Sequence, residues 1–313
     1  MKIIFFGSSD FAVPILDALK VKEQIVLVVT QPDRKKGRGQ HIVATPVKIL
    51  SQKEGIEVFQ PNTINCEDSI AYLRSFNADL FVVVSFGQIL KKEVLDIPKL
   101  FSLNAHASFL PKYRGAAPIN RVIANGEKET GVTIIKMNEG MDEGDIILKK
   151  AVSIESKDDA IMLSKKLSEI GSELVLDSIR LIREDAVTFI RQSSAGATYA
   201  PKLKKEDGLI DWSRAAEEIY NRIRAFIPWP GCFTYWDKKI LKIWQASPDQ
   251  SQGFIDSKPG TVLAVSKKGI LVSTGNNALR IVELQLEGSR RMNCEEFVIG
   301  HRAMKPGAEF SCI

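Results

Sequence analysis

The sequence has 313 residues, 44% of them apolar and 26% charged. That is enough chain for one large or two ordinary domains and enough apolar surface for a core, which excludes a fibrous or disordered protein. Lys plus Arg number 43 against 38 Asp plus Glu, and the excess is uneven: residues 1–200 carry 26 basic and 25 acidic side chains, residues 201–313 carry 17 and 13. The C-terminal part is therefore the one whose charge suits a polyanionic partner. Apolar runs such as Ile3 to Phe6 and Leu80 to Val84 are strand-sized, far below the roughly 18 residues of a membrane-spanning helix. The first run meets Ser8, Ser9 and Asp10 too soon for a secretion signal, so a protein with no membrane attachment is expected. Cys66, Cys232, Cys294 and Cys312 lie far apart with no CxxC pair. Neither a disulfide framework nor a structural zinc site is indicated, and a reducing cytoplasm fits best.

In chain order, nearly continuous apolar strands are expected at 2–7, 24–30, 56–59, 79–85 and 101–106, with helices at 11–19, 47–54 and 67–76 between them. This alternation predicts an α/β fold with a doubly wound, mostly parallel sheet covered on both faces. Such sheets bind ligands beyond the C-terminal ends of their strands, which directs attention to Gly7, Ser85 and the segment Asn104 to His106. Two further strands, 131–137 and 146–154, precede a long helix from about 158 to 183. Apolar periodicity is then lost, and residues 190–207 read as a linker between a catalytic domain, 1–189, and a C-terminal domain, 208–313. In that second domain a helix at 212–224 and a Pro-rich corner, Pro228 to Gly231, are followed by short strands at 232–236, 240–245, 260–265, 270–274 and 279–286. Five short strands with turn residues between them suggest a small OB-like β-barrel.

The first strand-helix turn contains only Gly7, so the glycine pattern of a dinucleotide site is missing. No phosphate-binding P-loop and no GxSxG elbow occur either. The densest polar cluster follows the fifth strand. Asn104 and His106 are two residues apart and so share one face of that strand. An amide donor and an imidazole aimed together suit acyl transfer, the one stabilising charge on oxygen and the other moving a proton. Downstream, Asp142, Glu143 and Asp145 sit in a glycine-flanked turn that could bring a carboxylate to the histidine, and spacing does not choose among them. A third feature is the connection after the second strand, where Arg34, Lys35, Lys36 and Arg38 flank Gly37 in a mobile, phosphate-attracting loop. His41 and His301 read as surface or packing histidines.

Taken together, these stretches resemble the methionyl-tRNA formyltransferase family over nearly the whole chain. The segment NAHASFLPKYRGAAPIN resembles its signature and GVTIIKMNEGMDEGDI its second catalytic stretch, with further likeness in FFGSSDFAVP, QPDRKKGRGQ, VVVSFGQIL and IDWSRAAEEIYNRIRAFIPWPG. Ala107 and Phe109 stand where the family commonly has Gly and Leu, and neither change removes a chemical group. The resemblance implies a Rossmann-like formyltransferase fold, with Asn104, His106 and Asp142 as the catalytic set. It implies a folate site lined by Ser108, Phe109, Leu110 and Pro111, with Phe86, Gln88, Ile89 and Leu90 near the pterin ring. The implied donor is 10-formyltetrahydrofolate and the implied acceptor the amine of methionyl initiator tRNA. No metal is required. Arg34, Lys35, Lys36 and Arg38 would meet the acceptor end, the C-terminal domain would hold phosphates farther along, and the protein is expected to act as a monomer. The competing readings are the same chemistry on a small amine, a non-catalytic RNA-binding protein, and a hydrolase releasing formate from the same donor.

Overall fold

The computed structural model describes residues 1–36, 41–249 and 257–311. Its strands are β1 (Lys2–Gly7), β2 (Gln24–Val29), β3 (Arg34–Lys36), β4 (His41–Val43), β5 (Val58–Phe59), β6 (Leu80–Val84), β7 (Phe101–His106), β8 (Glu129–Lys136) and β9 (Ile146–Ser153) in the N-terminal half, then β10 (Cys232–Trp236), β11 (Lys239–Asp249), β12 (Val262–Ser266), β13 (Gly269–Ser273), β14 (Ala278–Leu286) and β15 (Met292–Asn293). The helices are α1 (Val13–Lys22), α2 (Pro46–Lys53), α3 (Glu67–Ser75), α4 (Lys92–Leu95), α5 (Pro118–Ala124), α6 (Ala160–Arg183), α7 (Ala216–Ala225) and α8 (Cys294–Gly300).

The chain divides into two compact units, neither of them continuous in sequence. The first comprises residues 1–118, 129–153 and 164–200, and the second 119–128, 154–163 and 201–313. In the first, seven strands lie in the order β5-β2-β1-β6-β7-β8-β9, parallel from β5 to β7 and antiparallel from β7 to β9. The chain moves outward from β1 to β2 and β5, then returns to lay β6 and β7 on the other side, so strand order reverses between β1 and β6. This is the doubly wound arrangement, and its continuous apolar strands follow from burial on both faces: every residue of β6, and of β1 beyond Lys2, is buried. One core cluster joins Phe6, Leu27, Phe81, Phe86 and Leu90. Local signals set the helix starts; α2 has Pro46 in its first turn and is capped by Thr45, whose side chain accepts from the Lys48 amide.

Two features of the first unit differ from the sequence-based expectation. The charged connection is a β-hairpin at its base, with Arg34–Lys36 antiparallel to His41–Val43. Residues 37–40, and Arg38 with them, lie outside the described residues. Residues 190–200 of the expected linker pair with this unit: Ile190 bridges Ile146, and Tyr199 bridges Arg114. Their composition is that of a linker because backbone and polar hydrogen bonds hold them in place, and apolar burial does not.

The second unit carries an antiparallel sheet in the order β10-β11-β14-β13-β12, with β15 on β14 and with α7 packed on β11 and α8 on β14. Among the described residues no ladder joins β10 to β12, so the expected barrel is not closed. The late chain spans the two edges instead: Tyr235 of β10 bridges Ser311, while Val262 of β12 exchanges hydrogen bonds with Gly307 and Ala308. β11 runs on to Asp249 because register shifts around Gln245 let one strand bend and continue. Within this unit Arg224 is 5% exposed and donates to the carbonyls of Glu155 and Asp158, and Asn120 donates to the carbonyl of Ala225.

Candidate active site

The site lies in the first unit, at the end of β7. Period-two alternation puts Asn104 and His106 on one face, where β8 sets Ile135 and Thr133 opposite them. His106 is 6% exposed, and its Nε2 is 2.9 Å from the carbonyl oxygen of Tyr113. A carbonyl only accepts, so Nε2 carries a proton and Nδ1 is the nitrogen left to face the site.

Of the three candidate carboxylates Asp142, Glu143 and Asp145 between β8 and β9, Asp142 is the one that arrives. Its Oδ1 accepts from Asn104 Nδ2 at 3.0 Å, and its Oδ2 accepts from the Gly115 amide at 2.8 Å and lies 3.5 Å from His106 Nδ1. Glu143 turns instead to Arg114 Nη1 at 2.9 Å. The backbone carbonyl of Asp145 accepts from the Lys136 amide, as part of the turn itself. Two positions explain why the turn takes this shape. Asp142 has φ +54°, a left-handed conformation that a short polar side chain tolerates better than most. At Gly144 an added Cβ would sit 1.8 Å from the Lys136 carbonyl oxygen, so only glycine fits. A strained non-glycine residue bearing a half-buried carboxylate is the kind of outlier that accompanies function.

The segment after β7 is pinned from beneath. Thr133 Oγ1 donates to the Ser108 carbonyl at 2.7 Å and accepts from the Leu110 amide at 3.1 Å, while Ser108 Oγ donates to the Lys112 carbonyl. Ser108 and Leu110 are fully buried, so they shape this segment rather than line an open surface. Phe109 is half-buried over Gly131, with Lys149 Nζ 4.1 Å from its ring centre, and Pro111 is half-buried beside it. In the loop after β6, Phe86 and Leu90 point into the core, and Phe86 meets Phe6 edge-on, leaving Ile89, 70% exposed, as the apolar side chain the loop presents. Gln88 ties the loop down, accepting from the Ile64 amide at 2.9 Å and donating to the Pro61 carbonyl. Asn65 does the same from below, donating to the Ile89 carbonyl and accepting from the Lys91 amide.

Arg34 and Lys35 are exposed on β3, and Arg34 Nη2 donates to Gln31 Oε1 at 3.2 Å. The hairpin's base is fixed by Asp33, which accepts from Lys48 Nζ at 2.6 Å and from Gln60 Nε2 at 2.7 Å. The Lys48 ammonium above all, then the Gln60 amide, holds the Asp33 carboxyl below the usual carboxylate range. His41 is exposed, and His301 stacks on Phe297 with ring centres 4.2 Å apart. Among the described residues no group of three or more His, Cys, Asp and Glu side chains could hold a metal ion. No described helix is long and apolar enough to cross a membrane.

Sequence reasoning passed over Arg114, Gln192 and Thr198. Gln192 Nε2 donates to the carbonyls of Asp142 and Gly144, and Thr198 Oγ1 accepts from the Tyr113 amide at 2.8 Å. Arg114 stands inside the NAHASFLPKYRGAAPIN segment, but nothing there marks its partner; for Gln192 and Thr198 the signal was a polar stretch after the long helix, which any linker would also show.

Residues 1–179 match the formyl transferase family, and residues 202–302 match its C-terminal domain. Among solved structures the chain is similar to a sugar 3N-formyltransferase, WlaRD, at 20% identity and a TM-score of 0.67, covering 93% of this chain and 99% of that one. It is also similar to HypX from Aquifex aeolicus at 18% identity and a TM-score of 0.67, covering 98% of this chain and 48% of that one. At those identities the likeness shows the fold. Curated relatives go further. The methionyl-tRNA formyltransferase of Geobacter metallireducens is 46% identical over 98% of this chain and 97% of its own, and that of Desulforamulus reducens is 47% identical over 98% and 96%. Identity of that order, over 98% of the chain and nearly all of each relative, makes this chain a member of the methionyl-tRNA formyltransferase family.

Proposed function

We propose that the chain transfers the formyl group of 10-formyltetrahydrofolate to the free α-amine of methionine esterified to initiator tRNA, with Asn104, His106 and Asp142 as its catalytic groups. The observation that carries this reading is the shared carboxylate: Asp142 accepts from Asn104 and faces His106 Nδ1, in a chain whose full-length relatives bear that activity's name. The bound donor supplies an activated formyl carbon, which the amine attacks as the bond to the donor's nitrogen breaks. Asn104 spends one Nδ2 hydrogen on Asp142, so the second is available to the formyl oxygen as charge develops there. A donor of this kind contributes about 2.7 to 4 kcal/mol. Protonated His106 adds a second donor at Nδ1, its Nε2 proton being held by Tyr113. Asp142 fixes both donors and takes the amine's proton directly or through water, while the donor's departing nitrogen takes up a proton in exchange, from His106 or from the same water, so that the donor leaves as its neutral amine.

The site's chemistry suits a folate. Ile89 is an exposed apolar side chain on a loop otherwise tied down through its polar groups, next to Gly87 with φ +91°. An apolar ring with a polar edge can lie against such a surface while backbone groups meet that edge. We assign Phe109 and Pro111, supported from within by the buried Ser108 and Leu110, to the other part of the folate site. We assign Arg34, Lys35, Lys36 and Arg38 to the tRNA acceptor end, the basic C-terminal unit to phosphates farther along, and the protein to the cytoplasm as a monomer.

The deciding experiment is formylation of methionyl initiator tRNA by the purified protein, beside His106→Ala and a small-amine acceptor. Formyl-methionyl-tRNA made by the wild type alone supports the reading; formate release without transfer, or product on the small amine, overturns it. Within it, Arg38→Ala should lower kcat/KM for the charged tRNA about tenfold and reduce the slope of log kcat/KM against log salt by about 1, the mark of one lost phosphate contact. The KM for the donor should stay within twofold. Equal losses towards both substrates would remove the charged hairpin from tRNA binding.

A further inference from the structure

Residues 190–200 hold the catalytic turn from outside. Gln192 Nε2 donates to the carbonyl oxygens of Asp142 at 2.8 Å and Gly144 at 2.7 Å, so both amide hydrogens are used. Its Oε1 accepts from Arg114 Nη2 at 2.8 Å and Nε at 3.2 Å, which fixes which end of the amide faces the turn, because a guanidinium can only donate. Arg114 is 5% exposed, and its Nη1 reaches Glu143 Oε1. Three successive residues, Asp142, Glu143 and Gly144, are thus gripped by one amide and one guanidinium.

The grip has something to hold. Asp142 sits at φ +54°, which its backbone does not prefer, and its carboxylate must stay within reach of Asn104 and His106 together. The same segment supports the histidine, since Thr198 Oγ1 accepts from the Tyr113 amide and the Tyr113 carbonyl accepts from His106 Nε2.

We propose that Gln192 is a positioning residue for formyl transfer, acting through Asp142 by its two donated hydrogen bonds. The proposal rests on the reading of Asp142 as catalytic. A displacement of about 1 Å in a reacting group can cost on the order of 100-fold in rate, and that sets the scale.

Gln192→Glu is the informative variant. It keeps the shape and still meets Arg114, now as an ion pair, but has nothing to donate to the two carbonyls. Two carbonyls left facing a carboxylate without a donor cost stability, so we expect a folded protein that melts about 5 °C below the wild type, with its kcat at least tenfold lower and KM for 10-formyltetrahydrofolate and for methionyl initiator tRNA within threefold. Gln192→Ala should lose kcat to a similar degree. A residue that only fills space or stabilises the fold would leave Gln192→Glu with normal kcat, and that result overturns the proposal, as does a rise in KM with kcat unchanged. Asp142→Ala assayed alongside separates the two levels of the argument. If it is inactive while the Gln192 variants turn over normally, the positioning role fails alone; if it stays active, the reading of the site fails with it.

Discussion

Asp142→Ala is expected to lower kcat for formylation by about three orders of magnitude, within the range a positioned acid-base group contributes, while leaving a folded protein. The size follows from how much converges on one carboxylate: Asn104 Nδ2, the Gly115 amide and His106 Nδ1. Without it Asn104 loses the bond that orients its amide, and His106 loses its partner at Nδ1. The stability cost should be modest: the Gly115 amide is the backbone group left wanting a partner, at about 1 to 3 kcal/mol, and Asn104, half-buried, can turn its amide to water. Asp142→Asn makes the test stricter. It tolerates the left-handed backbone and matches the shape, yet both Asp142 oxygens accept hydrogen bonds and an amide has only one acceptor. One face of the new side chain must therefore set donor against donor, and kcat should fall nearly as far as for alanine. Steady-state kinetics with a thermal melt check both; a normal kcat in either variant takes Asp142 out of the catalytic set.

The second large effect is on the fold itself. In Gly144→Ala the new methyl would lie 1.8 Å from the Lys136 carbonyl oxygen, a backbone atom in β8 that cannot swing aside. The turn would have to separate from the strand, putting at risk the Lys136 amide's bond to the Asp145 carbonyl. Overpacking of this kind costs about 3 kcal/mol, which for a unit of this size lowers the melting temperature by about 10 °C. Turnover should fall as well, because the turn carries Asp142. Gly300→Ala is the control: at the end of α8 an added Cβ meets nothing within 4 Å, and its melt should match the wild type. A Gly144→Ala protein that melts normally would mean the turn has slack that its geometry denies.

Much of this was legible in the residues. The apolar runs at β1, β2, β6 and β7 name buried parallel strands because a sheet covered on both faces has no polar side to alternate with. The spacing of Asn104 and His106 fixes a shared face because a strand has a period of two. Choosing Asp142 over Glu143 and Asp145 was beyond spacing, since all three belong to one tight turn and which of them points inward depends on a left-handed residue that no pattern marks. The β3–β4 hairpin was hidden by its charges, because a strand pair held by backbone bonds with exposed side chains lacks apolar alternation. Gln192 was hidden for a related reason. It acts through carbonyl oxygens, and any sequence offers those equally.

The interleaving of the two units has a consequence for how such proteins can be recombined. Residues 119–128 and 154–163 belong with 201–313, although they are encoded inside the catalytic half. Asn120 relies on the Ala225 carbonyl, Arg121 on the Asp207 carboxylate, and the Glu155 and Asp158 carbonyls on Arg224. A graft cut once, after Ala200, would separate each of these pairs by parentage and bring together surfaces that were never selected to match. A chimera that exchanges the C-terminal part must therefore carry three pieces of sequence, and natural shuffling of the two halves by a single crossover meets the same obstacle.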